Sequence, residues 1–298
     1  MAAFQNVALL GKGILGSAIL EQLANSGYTV TLFSRNPSNV KDIPPGVQVA
    51  QVDYSSKKSL VKALKGQDAV VATIGAAGLS SQKLIIDASI EAGVMRFIPS
   101  DFGSFTTDPD ARDFPFLKAI IEIQDYLKEK AAAGAIEYTI FSTGAFLEVV
   151  IASPLLVDVA NRSVELFDKG VHRFSSTSVS TIGKAIANAL KAPDATKNRN
   201  LKIHEFVFTQ AKVLELAKKH SPPGTQWTET QVDPEQALSE ATAKAKENPA
   251  DIKAGYTLIK AALLGGKFRA AYDKVDNELL GVRLLPDDEI EAKIAVRF

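Results

Sequence analysis

Cysteine is absent from this chain of 298 residues, and disulfides, thiolate catalysis and Cys-ligated zinc are excluded with it. Histidine is scarce. His172, His204 and His220 stand far apart, in no metal-ligating spacing, so no metal site is expected; His172 is the first of them to consider for catalysis. Asp108, Asp110 and Asp113 share one Pro/Thr-rich loop, where acids act as turn formers and caps, and no EF-hand spacing is present. An excess of one charge is also missing. The chain has 34 basic and 34 acidic residues, so it has no overall field to draw nucleic acid or an anionic membrane. No apolar run approaches the ~18–20 residues needed to span a bilayer. The apolar residues 7–20 lack a preceding basic stretch and are broken by three glycines, unlike a signal peptide. The expectation is a soluble cytoplasmic protein with neither nucleic-acid nor membrane partners.

What the chain does have is rhythm. Residues 7–16, VALLGKGILG, run from an apolar strand through Gly11, Gly13 and Gly16, spaced G-x-G-x-x-G, into a helix of about 14–26. Gly11 permits the turn, Gly13 lets backbone approach a pyrophosphate, and Gly16 lets helix pack on strand. Lys12, Ile14 and Leu15 complete the turn, and the N–H groups of the helix start point at the same phosphates. Strands at 28–33, 47–52, 69–75, 94–100 and 136–142 alternate with helices at 57–65, 80–92 and 115–133. This predicts a doubly wound parallel α/β sheet of the Rossmann type with a smaller α+β lobe. The expected division is 1–150 for dinucleotide binding and 151–298 for substrate, with segments of 175–208 as candidates to rejoin the first part. In the second part the sequence predicts a β-hairpin at 164–174 around Asp168-Lys169-Gly170, a helix at 180–191 and a strand at 201–208. A helix capped by Thr209 follows, and then helices over 234–265 parted near residues 248–249.

Cofactor choice is read where the second strand ends. An acid there would take the ribose hydroxyls of NAD, but no acid lies between Glu21 and Asp42. Arg35 follows Ser34 instead, and a guanidinium suits the 2′-phosphate of NADP, with Lys12 as a second cation. The expected cofactor is NADP(H). It should lie across the carboxyl ends of the strands, against residues 73–75 and 99–102.

The G-x-G-x-x-G turn, Arg35, the run D-A-V-V-A-T-I-G (68–75) and above all R-F-I-P-S-D-F-G (96–103) resemble one family. It is the NmrA-like, isoflavone-reductase-like branch of the short-chain dehydrogenase/reductases, with fungal-type members nearest. Tyr138-Thr139, Ile182-Gly183 and Asn198-Arg199 extend the resemblance. The resemblance implies that Thr73, Ile74 and Gly75 line the adenine-ribose and diphosphate side of the cofactor. It implies that Pro99, Ser100 and Phe102 lie near the nicotinamide, with Gln82 as a neighbour.

The family's lysine, early in the helix after this loop, aligns with Ile120, which can do no acid–base work. Lys118 takes the role only if the helix starts late, because two residues turn a helix by about 200°. Lys118 and Ser100 are therefore the catalytic candidates. Tyr126 and Lys130 match the Y-x-x-x-K of ordinary short-chain dehydrogenases, but stand at the wrong end of their helix. For substrate, Phe102, Phe105 and Phe114 offer aromatic surface, and Thr143, Gly144, Phe146 and Leu147 follow a strand end; packing in the core is the alternative for all of them. Two functions stand open. One is an NADPH-dependent reductase of a small aromatic or phenolic molecule. The other is a non-catalytic NADP(H)-sensing regulator or ligand-binding protein, which Ile120 favours.

Overall fold

A computed structural model describes residues 4–248 and 251–297. Its first strand, β1 (Asn6–Leu10), is buried from Val7 onward and turns at Gly11–Gly13 into α1 (Ile14–Asn25). The alternation continues through β2 (Thr29–Ser34), β3 (Gln48–Gln51), α2 (Lys57–Leu64), β4 (Ala69–Ala72) and α3 (Gln82–Ala92). It then runs through β5 (Arg96–Ile98), α4 (Lys118–Ala132) and β6 (Glu137–Ser142). Local chemistry sets the ends. Ser56 caps α2 by accepting from the Ser59 N–H, and Gly93 closes α3 at a φ of +83°. Beyond β6 lie β7 (Ala145–Phe146), α5 (Leu147–Ala152), β8 (Ser163–Phe167), β9 (Arg173–Thr177), α6 (Val179–Lys191), α7 (Pro193–Thr196) and β10 (Arg199–Lys202). Next come β11 (Phe206–Thr209), α8 (Gln210–His220), β12 (Thr228–Val232) and α9 (Pro234–Glu247). The chain closes with α10 (Ile252–Leu264), α11 (Asn277–Leu280) and α12 (Asp287–Ala295). Among the described residues no helix is long and apolar enough to cross a membrane.

Two compact units divide the chain. The first gathers Met1–Ser142, Val179–Lys202 and Asp276–Val282; the second gathers Thr143–Ser178, Ile203–Val275 and Arg283–Phe298. The first is built on seven parallel strands in the order β10-β6-β5-β4-β1-β2-β3. This is the doubly wound α/β sheet that the alternation of strands and helices predicts. Its order reverses between β1 and β4, where Leu10 stands level with Ala72, so two loops leave side by side at the carboxyl ends. Leu60, Leu64, Ile85, Ile86, Ile123 and Leu127 bring α2, α3 and α4 onto one face, against Leu10, Val70 and Phe97. On α6, Gly183 is the close approach to α1: a Cβ there would stand 2.9 Å from the Ala18 carbonyl oxygen.

A charge is buried at the amino end of β5. Arg96, 0% exposed, donates to Glu137 at 2.6 and 3.2 Å, to Thr139 and Thr196, and to the Pro193 carbonyl. It thereby joins β5, β6 and α7 through one fully satisfied guanidinium.

In the second unit, β11, β9 and β7 form one sheet, and β12 and β8 pair in parallel as another. The expected hairpin at 164–174 does not form, because β8 and β9 belong to different sheets. Asp168, Lys169 and Gly170 all take positive φ (45°, 58° and 74°), which makes a tight coil rather than a two-residue hairpin turn. The expected single strand at 201–208 is also two strands: β10 in the parallel sheet and β11 in the second unit. Buried polar bonds at the break explain this. The Glu205 N–H donates to the Ser176 carbonyl, and the Glu205 carboxylate accepts from the Ser178 N–H. The expected parting of the helices over 234–265 holds at Asn248, which ends α9; residues 249–250 lie outside the described residues.

The loop after β5 is locked by a buried carboxyl. Gln124, in the middle of α4, donates from Nε2 to Asp101 Oδ2 at 2.7 Å and to the Thr106 carbonyl at 3.1 Å. Further along, Asn200 donates to Thr107 Oγ1, whose hydroxyl also bonds Ser142. Burial holds the Asp101 carboxyl above the ordinary carboxylate range, although the Thr106 hydroxyl, Gln124 and the Gly103 N–H oppose it. The folded chain therefore binds this proton more tightly than the unfolded chain, and stability from it is lost as pH rises through the folded value. Asp101→Asn keeps the acceptor for Gln124 and removes the charge. Thermal melts should show it more stable than wild type at pH 8, by about 1 kcal/mol or roughly 3 °C, with the gain shrinking towards pH 4.

Candidate functional site

The loops after β1 and β4 are fastened together by one hydroxyl. Thr73 Oγ1 donates within 3.0 Å of both the Leu10 and the Gly11 carbonyl oxygens, and its N–H donates to Leu10 at 2.7 Å. Space here is exhausted. A Cβ on Gly11, at φ +102°, would stand 2.7 Å from the Thr73 carbonyl oxygen, and one on Gly16 would stand 2.3 Å from that of Gly11. Gly13 is the opposite case: a Cβ there would meet nothing within 4 Å. It sits at the N-cap of α1 with no side chain capping it and no acid in the first turn. The amides at this helix start are thus open to a ligand phosphate. Beside them Ile14 is 73% exposed, while Leu15 is buried and Lys12 half-buried. Gly75, after β4, is equally open and uncapped, with Ile74 half-buried before it. A pyrophosphate fits this arrangement of crowded glycines behind and an open one in front.

At the end of β2, Arg35 is exposed and makes no ion pair among the described residues; half-buried Lys12 makes none there either. Arg35 lines a depression of about 490 Å³ with Gln51, Val52, Asp53 and Ser59. Ser34, before it, accepts from the Asn36 N–H and shapes the turn. Burial pushes the nearby Tyr54 phenol up to about 12, an effect the Arg35 charge opposes. The sequence reading assigned neither Asp53 nor Tyr54 to the site, although both stand just after the third strand.

At the end of β5 the polar groups are turned on one another. Ser100 Oγ donates to the Ile74 carbonyl at 2.7 Å, and the Ser100 N–H donates to Gln82 Oε1 at 2.8 Å. Gln82 is 1% exposed and opens α3, so it joins the loops after β4 and β5 from beneath. Pro99 is buried, and half-buried Phe102 stacks on Phe141 with ring centroids 6.3 Å apart. Phe105 and Phe114 pack on each other at 6.5 Å and are almost fully buried.

The helix that follows starts late. Pro115–Leu117 form a 3-10 turn, and Lys118 is the first α-helical residue, exposed and without an ion pair among the described residues. Ile120 is half-buried, one turn before the buried Gln124 on the same face. Tyr126 donates to Asp87 on α3 and packs against the core, while Lys130 pairs with Glu129 and lies over the Tyr126 ring.

The second unit holds the other candidates. Thr143 and Gly144 are buried, Phe146 is half-buried, and Leu147 is buried at the start of α5. The histidines stay separate. His172 pairs with Asp168, His220 with Glu291, and His204 with the Ser175 hydroxyl. Asp108 accepts from the Asp110 N–H within its own turn. Among the described residues no cluster of histidines and carboxylates could hold a metal. The sequence reading also missed Tyr272, which accepts from the Gly144 N–H 128 positions away, a separation no local signal reveals.

Residues 11–193 match the family model described as NAD(P)H-binding. The oxidoreductase aprR of Aspergillus flavus is 36% identical over 228 residues, 75% of each chain. Among solved structures, an isoflavone reductase superposes with a TM-score of 0.75 at 21% identity, covering 99% of this chain and 100% of the other. AtPrR2 with NADP+ and (+)pinoresinol superposes at 0.71 and 18% identity over the whole of both. At these identities the structural likeness is one of fold. With the open Gly13 turn, the family model and the fungal relative, the chain belongs to the NAD(P)H-binding, NmrA-like and isoflavone-reductase-like family.

Proposed function

We propose that the protein is a cytoplasmic NADPH-dependent reductase of a small aromatic or phenolic molecule, isoflavonoid- or phenylpropanoid-like. The observation that carries the reading is the uncapped turn at Gly13, in a unit whose Arg35 makes no ion pair among the described residues. That pairing of an open helix start with an unspent guanidinium suits a dinucleotide carrying a 2′-phosphate, and so NADP(H) rather than NAD(H). The aromatic substrate class is supported by what the structural neighbours are or hold, an isoflavone reductase and a pinoresinol complex.

The cofactor, when bound, supplies the hydride; this chain's residues supply binding and orientation. The Gly11–Gly16 amides hold the pyrophosphate, and Arg35 and Lys12 hold the 2′-phosphate. Ser34, Thr73, Ile74 and Gly75 border the adenine-ribose half. Pro99, Ser100 and Phe102 border the nicotinamide, with Gln82 fixing their loop. Because its proton is committed to the Ile74 carbonyl, Ser100 holds that loop in place and presents its lone pairs. Lys118, the first residue of α4, is the cation this segment offers as proton donor. It stands about 200° round the helix from Ile120, so the role requires its long side chain to reach back from the first turn to the loop. Phe102, Phe105 and the stretch Thr143, Gly144, Phe146 and Leu147 are assigned to the substrate. One observation favours the second reading, a non-catalytic NADP(H) sensor: half-buried Ile120 stands where the family's reductases carry lysine.

One measurement tests the cofactor assignment and a second decides between the two readings. In fluorescence titrations Arg35→Asp should weaken NADPH binding about 100-fold and leave NADH binding within about two-fold; equal losses for both would remove Arg35 from the 2′-phosphate. NADPH oxidation should be followed against a panel of phenolics, flavonoids and quinones. Turnover with at least one compound is expected, with Lys118→Ala lowering kcat about 100-fold at unchanged NADPH affinity. Tight NADPH binding without turnover of any compound would establish the sensor. Full turnover by Lys118→Ala would keep the enzyme and discard its proton donor.

A further inference from the structure

The corner that follows β6 is held by a chain of buried hydrogen bonds ending on His204. Gly144 takes a φ of +69°, and a Cβ there would stand 2.1 Å from the Ser175 carbonyl oxygen, so the backbone at this point has one way to lie. Its N–H donates to the Tyr272 hydroxyl at 3.0 Å. The Tyr272 N–H in turn donates to Ser175 Oγ at 3.1 Å, and Ser175 Oγ lies 2.9 Å from His204 Nδ1. The His204 and Tyr272 rings stack with an interplanar angle of 10°. On the same face of β9, Thr177 Oγ1 donates to the Thr143 carbonyl at 2.6 Å. Ser175 and Thr177 are fully buried, and His204 is 9% exposed.

Proton counting fixes the direction of the chain. A hydroxyl has one proton and accepts through its lone pairs. Ser175 Oγ already accepts from Tyr272, and among the described residues its proton has one acceptor, His204 Nδ1. The imidazole must then be neutral with its proton on Nε2. Burial and the charge of Arg173 on β9 both disfavour the imidazolium. The neighbour of His204 in the chain, Glu205, accepts from the Ser178 N–H through its carboxylate, and the Tyr272 phenol ring stacks on the imidazole.

We infer that His204, as the neutral Nε2–H tautomer, is a positioning residue that sets the Thr143–Gly144 corner through Ser175 and Tyr272. The inference rests on the proposed function in one respect only, that this corner binds substrate. Protonating His204 withdraws the acceptor, strands the Ser175 proton in a buried site and loosens the corner. Asparagine at 204 can accept in place of Nδ1 but cannot be protonated, which separates the hydrogen bond from the titration.

The test uses the full-length protein. Histidine ¹⁵N shifts should report His204 as the Nε2–H tautomer at pH 7. Hydrogen-exchange protection of the Gly144 amide should fall about ten-fold in Ser175→Ala, Tyr272→Phe and His204→Phe, and in wild type once the pH is lowered far enough for the ¹⁵N shifts to show His204 protonated. His204→Asn should keep the protection over the same pH range. For a compound that is turned over, the same three variants should raise KM several-fold with kcat changed less than two-fold, and His204→Asn should restore it. An Nδ1–H tautomer, or unchanged Gly144 protection in Ser175→Ala and His204→Phe, would overturn the inference. Lost protection with unchanged KM would leave the hydrogen-bond chain standing and remove the corner from the substrate site.

Discussion

The site depends on a contact too close for any side chain. Gly16 lies so near the Gly11 carbonyl, and Gly11 so near Thr73, that β1, α1 and the loop after β4 meet with no room for a side chain at either glycine. Thr73 completes the contact with a hydroxyl that reaches both carbonyls of the turn. With the turn fixed from behind, Gly13 and the first amides of α1 are presented forward without a cap of their own. The tight packing and the open amides are one arrangement. A side chain at Gly16 would push the helix start away from the strand and misdirect the amides it carries.

Two arginines show how the same unit handles charge. Arg96 is wholly buried, and its donors meet Glu137, two threonines and a carbonyl; left unpaired there it would be strongly destabilising. Arg35 stands in solvent at the edge of a depression and makes no ion pair among the described residues. Stability accounts for the first and is indifferent to the second. A guanidinium that the fold does not use, at the strand end beside an open phosphate-binding turn, is free to be used by a ligand.

Sequence made legible whatever depends on neighbours along the chain. The glycine turn, the strand–helix alternation and the cap at Thr209 are local patterns, and the Thr209 hydroxyl does accept from the Lys212 N–H. It failed where partners are remote or conformation is unusual. Three successive positive-φ residues replaced the hairpin expected at 168–170, and a single expected strand split between two sheets because Glu205 bonds back to Ser176 and Ser178. The Asp101–Gln124 lock and the Gly144–Tyr272 bond join residues 23 and 128 positions apart, and nothing in either segment announces the other.

The helix α4 separates what the fold guarantees from what it leaves to one side chain. Gln124 shows which face of α4 meets the loop after β5, because its amide bonds Asp101 and Thr106. Ile120 lies one turn earlier on that face, and Lys118, two residues before it, points about 200° away. The late helix start brings Lys118 into the first turn without bringing it onto Gln124's face. Dinucleotide binding draws mainly on backbone amides that the packed glycines hold in place, so most side-chain changes on other elements leave it intact. Proton donation has no such protection: a single substitution on an α4 face can abolish it without disturbing the cofactor site. The same scaffold can serve as a reductase or as a sensor, and on the reading proposed above the difference turns on whether the first turn of α4 delivers a cation to the substrate.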